Sequence, residues 1–143
     1  MNILVKYHKT ILVTATIIFL SLVNVQKITP DDLPLFKNFD KVVHFLMYFG
    51  ITSIFLLESY YAGTKINYKI SIRLDLFPLF LGGSMEILQS LLTPNRSGDW
   101  IDLLFNMTGI AVASIVFHLV KDNDLIKKLV AFPFRISSVE RIK

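Results

Sequence analysis

Four apolar runs, at about residues 10–26, 42–62, 74–92 and 102–120, constrain this 143-residue chain more than any other feature. Crossing the ~30 Å hydrocarbon core of a bilayer takes about 20 helical residues, and each run has or approaches that length. The expected fold is therefore an all-α membrane protein: one four-helix transmembrane bundle over 1–120, followed by a short basic tail over 121–143. The composition agrees, with 53% hydrophobic residues and a mean hydropathy of +0.57, above the habit of soluble domains. A net charge of +4 would suggest nucleic acid for a soluble protein. Here the cations stand between and after the apolar runs, as membrane proteins carry them, so no nucleic-acid partner is expected. The chain has no cysteine, which excludes disulfides and thiolate metal sites.

Lys6 and Lys9 precede the first run in the manner of a signal peptide. The following "SLVNVQKITP" offers no small-x-small cleavage pattern, so a retained helix is expected. The third run carries Pro78, Gly82, Gly83, Glu86 and Gln89, and membrane helices tolerate such breakers when neighbours satisfy the backbone. With a cytoplasmic N-terminus, eleven of the lysines and arginines lie inside. The outer loops hold four: Lys27, Lys37, Lys41 and Arg96. That bias predicts both termini in the cytoplasm of a multi-pass cell-membrane protein. The short basic loop "GTKINYKISIR" then lies inside, and the tail "LIKKLVAFPFRI" either rests on the inner leaflet or is solvated.

The polar residues form stripes. Asp40, His44 and Tyr48 recur at i, i+4 and i+8, with Lys41 beside them, and so share one face of the second helix. Glu86 and Gln89 are three apart on the third. Arg96 lies in the outer loop, and Asp99, Asp102, Asn106 and Gly109 follow at +3, +4 and +3, with Ala113 continuing that face. All three stripes fall in the outer third of the bilayer. An ionised carboxylate facing lipid costs on the order of 2.5–3.5 kcal/mol, so the stripes are expected to turn together into one outward-opening cavity. Simpler roles compete for single residues: capping for Asp99 and Asp102, lipid anchoring for Lys41 and Arg96, packing for Tyr48, and an interhelical bond for Glu86. Glu58, near the inner end of the second helix, reads as a snorkelling interfacial residue outside the site.

The combined run of Asp40, Lys41, His44 and Tyr48, then Glu86 and Gln89, then Arg96, Asp99, Asp102, Asn106 and Gly109 resembles the VanZ-like membrane proteins over about residues 28–118. Some of that family are associated with resistance to teicoplanin-type glycopeptides. The family has also been grouped with enzymes that exchange or cleave phospholipid and lipid-linked head groups. The resemblance implies a small helical cone with its active site at the membrane face. Its partners would be membrane lipids or lipid-linked cell-envelope precursors.

For phosphodiester chemistry on such a head group, His44 is the natural base or nucleophile, because imidazole titrates near neutrality. Glu86, Asp102 or Asp40 would orient it. Arg96 offers a bidentate phosphate clamp and Lys41 a second charge. Gln89, Asn106 and Tyr48 would fix the head group, and Asp40 and Asp99 complete the binding set. A divalent metal on Glu86, Asp99 and Asp102 is the less favoured arrangement. The alternative is a non-enzymatic protein whose pocket binds a lipid or glycopeptide-type ligand, or merely cements the helices. A proton- or ion-coupled transporter fits less well, since its polar groups should reach the midplane and these stop short of it.

Overall fold

The computed structural model describes residues 3–22, 39–92 and 100–131. Within them the chain is all helical, with no strand: α1 (Ile3–Lys6), α2 (His8–Leu22), α3 (Phe39–Tyr61), α4 (Tyr68–Leu92), α5 (Trp100–Val120) and α6 (Asp124–Ala131). Tyr7 links α1 to α2 almost without a break, because its N–H donates to the Ile3 carbonyl and its own carbonyl accepts from Ile11. Helices α3 and α5 are long and apolar enough to cross a membrane, and α2 is apolar but shorter. Helix α4 has 25 residues but carries Lys69, Arg73, Asp75 and Glu86 along them.

Local signals set the ends. Helix α3 stops at Gly63, whose φ of 99° is the left-handed conformation that glycine adopts without strain. Gly63 N–H donates to the Tyr60 carbonyl and Thr64 N–H to that of Ser59, each at 3.0 Å, which satisfies the helix's last carbonyls. Asn67 then caps α4 by accepting from the Ile70 amide at 3.0 Å. The helix therefore starts six residues before the expected 74, and the expected loop over 63–73 is shortened. Apolar length located the buried part of α4, whereas the cap and the turn fix its start. Pro78 lies inside α4 and is buried. Asn123 caps α6 through the Leu125 amide at 2.9 Å, so the first part of the tail is helical.

Contacts fix the relative directions. His44 meets Asn106, Lys41 meets Asp102, and Tyr60 meets Asp122. Helices α3 and α5 are thus parallel, with numbers offset by about 61. Helix α4 runs against them, since Tyr48 lies at Gly82 and His44 at Glu86. Helix α2 also opposes α3 and is held at both ends. At its start the Glu58 carboxylate accepts from the Lys9 amide (3.2 Å), the Thr10 amide (3.1 Å) and the Thr10 hydroxyl (2.7 Å). Near its end the Gln89 side-chain amide donates to the Ser21 carbonyl at 2.8 Å. Glu58 is 1% exposed, so it does not snorkel. An exposed reading failed because the donors that bury it lie 48 and 49 residues earlier in sequence.

One apolar cluster of Ile17, Tyr48, Ile51 and Ile110 fills the end of the bundle near His44, called here the upper end, and one of Leu56, Ile66 and Phe117 fills the lower. The outside is also apolar: Phe80, Trp100 and Leu119 are 78%, 80% and 79% exposed. Polar side chains inside and large apolar ones outside suit a surrounding of lipid.

Candidate functional site

Small residues bring the helices together at the site. A Cβ on Gly109 would strike the Phe45 carbonyl oxygen and stand 3.0 Å from the Phe49 amide, so α5 meets the backbone of α3 directly at this point. Ala113, one turn on, is fully buried. Gly82 performs the same service for α4. A Cβ there would lie 3.1 Å from the Tyr48 ring and 3.3 Å from Asn106 Nδ2.

Around this close approach the structure gathers His44 from α3, Glu86 from α4, and Asp102 and Asn106 from α5, all buried. His44 Nδ1 lies 3.1 Å from Asn106 Oδ1. With the amide oxygen as acceptor, Nδ1 carries the proton and Nε2 keeps its lone pair. Nε2 faces Asp102 Oδ2 at 3.7 Å, and Glu86 Oε1 is 3.7 Å from Nδ1. Lys41 Nζ holds the other Asp102 oxygen at 3.1 Å and reaches Asp40 at 3.4 Å. The Asp40 carboxylate is the outermost, with a side chain 53% exposed.

Ligand atoms of His44, Glu86 and Asp102 lie within 4.8 Å of one another, a spacing that could hold a metal ion. The donor set of two oxygens and one nitrogen suits a divalent cation. Lys41 already stands on Asp102, however, and supplies a positive charge there.

Of the other residues expected at the site, Tyr48 packs against Gly82, and its hydroxyl has no hydrogen-bond partner among the described residues. The same holds for Asn106 Nδ2. Gln89 is buried and bonded to Ser21, so one of its donors ties α4 to α2. Arg96 and Asp99 lie outside the described residues.

Sequence reasoning passed over a second group. Asp75 accepts from the Ser114 hydroxyl at 2.5 Å, and Ser114 Oγ lies 3.2 Å from Ser71 Oγ. The signal was present: Ser71 and Asp75 are one turn apart, and Asp75 and Glu86 are eleven apart, which is close to three turns and so one face.

A family model described as VanZ/LLP1 matches residues 3–121. No curated protein and no solved structure matches the chain.

Proposed function

This chain belongs to the VanZ/LLP1 family, and from that premise we propose that it is a four-span membrane protein acting on lipid or lipid-linked head groups by phosphodiester exchange or hydrolysis. Both termini are cytoplasmic, residues 1–120 form the single membrane domain, and the site faces outward. The observation that carries this reading is the meeting of His44, Glu86, Asp102 and Asn106, from three helices, at one level of the bundle.

Asn106 fixes the ring with Nε2 as the basic nitrogen. Nε2 takes the proton of an incoming water or alcohol as its oxygen attacks phosphorus. Asp102, which faces that same nitrogen at 3.7 Å, stabilises the positive ring that forms by its negative charge. Lys41 keeps Asp102 in place and adds positive charge beside the phosphate. The phosphorus–oxygen bond to the departing head group then breaks, and the proton held on Nε2 passes to the leaving oxygen. Glu86 is the second carboxylate on the ring, and Arg96 supplies the phosphate clamp. Asp40, Asp99, Gln89 and Tyr48 shape the head-group subsite.

A second reading, a pocket that binds a lipid or glycopeptide-type ligand or simply cements the helices, is favoured by one observation. Lys41, His44 and Gln89 are each already bonded to another helix. Head-group analysis of membranes with and without the protein decides between them. Catalysis predicts a changed species that His44→Ala abolishes, a loss of about 10²–10⁴-fold for a general base, while the variant still inserts and folds. Unchanged head groups, or unfolding of the variant, would favour cement. External labelling of single cysteines should reach 95–99 and spare 65–69, and the reverse pattern overturns the topology.

A further inference from the structure

Polar side chains continue below the His44 cluster, between the two apolar clusters of the core. Asp75 lies eleven residues before Glu86, roughly 16 Å down α4 by the helical rise. The parallel register of α3 and α5 puts Ser114 level with about residue 53 of α3, just past the middle of Phe39–Tyr61. Asp75 and its serines therefore occupy the central part of the bundle.

Four features there call for a role beyond packing. Asp75 Oδ2 is engaged by Ser114, but Oδ1 is closed off with no hydrogen-bond partner among the described residues. Thr52 is fully buried, level with Ser114, and its hydroxyl is likewise without a partner. Tyr48 stands between His44 and Thr52 in sequence, at single-turn spacing from each, and its hydroxyl also has no partner among the described residues. Below Asp75, one turn after Ser114, His118 Nε2 is buried with no hydrogen-bond partner among the described residues, its ring 4.2 Å from that of Tyr68 near the lower end. Buried polar atoms left open in this way are what internal water bridges.

The other ionisable groups around Asp75 do not neutralise it. On α5 the nearest is His118. On α3 it is Glu58, engaged by α2 through Thr10 and the Lys9 amide, with the His8 ring 3.7 Å away. On α4, Arg73 and Lys69 are exposed and Tyr68 stacks on His118. No cation lies within 4.0 Å of the Asp75 carboxylate among the described residues.

We propose that the bundle holds a second ionisable site at Asp75, served by Ser71 and Ser114, and that this site passes protons between the lower end at His118 and the polar cluster above. A proton enters at His118, crosses by water to the free oxygen of Asp75, and leaves by water bridging Thr52 and Tyr48. Each carrier returns to its starting protonation state, so the only net change is one proton moved. Ionisable chains inside membrane proteins serve as such relays. The inference rests on the four-span topology and does not require head-group chemistry at the upper site.

The test uses the full chain in liposomes with a trapped pH-sensitive dye, an imposed pH step, and the potential clamped by potassium and valinomycin. The wild-type protein should dissipate the step faster than protein-free vesicles. Asp75→Asn keeps an acceptor for Ser114 and hence the fold, yet should slow the flux by about tenfold or more, as loss of a proton-transfer group does. His118→Ala should slow it as well. Equal rates for wild type and Asp75→Asn, or for wild type and empty vesicles, would overturn the proposal, as would a flux that follows sodium. Cysteine labelling of the same vesicles reports the topology separately, and their head-group content reports the upper site.

Discussion

Replacing Gly109 with alanine tests how the polar cluster is held. The added carbon would point at the Phe45 carbonyl oxygen, 3.0 Å from the Phe49 amide nitrogen and 3.3 Å from the Phe45 carbonyl carbon. All of these are backbone atoms of α3 and cannot turn aside as a side chain can. Ordinary contact between such atoms is about 3.5–4.0 Å, so α3 and α5 must part locally by about 1 Å. The His44–Asn106 bond, 3.1 Å long, lies one residue from Phe45 on α3 and three from Gly109 on α5. A 1 Å separation carries it past the hydrogen-bond range. Overpacking costs about 1–3 kcal/mol and the lost buried bond about 1 kcal/mol, while glycine-to-alanine propensity in a helix returns about 1 kcal/mol. Gly50 and Gly83 have nothing within 4 Å of an added carbon, so alanine there should gain the propensity alone. In reversible unfolding from detergent micelles, Gly109→Ala should fall about 2–4 kcal/mol below both references. Agreement with Gly83→Ala to within about 0.5 kcal/mol, the usual scatter of neutral changes, would refute the close backbone approach and the argument built on it.

Two further outcomes follow from the same contacts. Glu58→Ala removes a carboxylate that accepts three bonds from α2 and should cost about 2–4 kcal/mol in the same unfolding assay, with Glu58→Gln losing less because it keeps an acceptor. Tyr48→Phe removes a hydroxyl that bonds no described residue and should cost no more than the water bridge proposed above, about 1 kcal/mol. If the variant falls by more, the hydroxyl has a structural bond.

Apolar run length made the helical class and the approximate helix positions legible, because burying backbone in lipid demands long unbroken helices. Helical spacing put His44, Glu86, Asp102 and Asn106 on faces that turn toward one another, since each stripe is set by local periodicity alone. What stayed hidden depends on partners distant in sequence. Nothing near Glu58 announces the amides of Lys9 and Thr10, so a buried cap looked like a surface acid. Asp75 sits beside exposed Arg73 and Leu76, and only the docking of Ser114 reveals its inward role. The transporter reading fits the sequence less well because its polar stripes stop in the outer third, whereas Asp75 with Ser71 and Ser114 lies below them. The start of α4 was missed because Asn67 and Gly63, rather than hydrophobicity, determine it.

The carboxylate that secures the opening amides of α2 belongs to a residue synthesised 48 positions later. During synthesis the opening N–H groups of the first apolar helix therefore wait for this partner until the second has been made almost to its far end. A nascent chain arrested before Glu58 leaves that helix undocked, and one arrested just beyond it can close the pair. The opening turn of α2 thus depends on Glu58, while its far end depends on Gln89, which arrives later still.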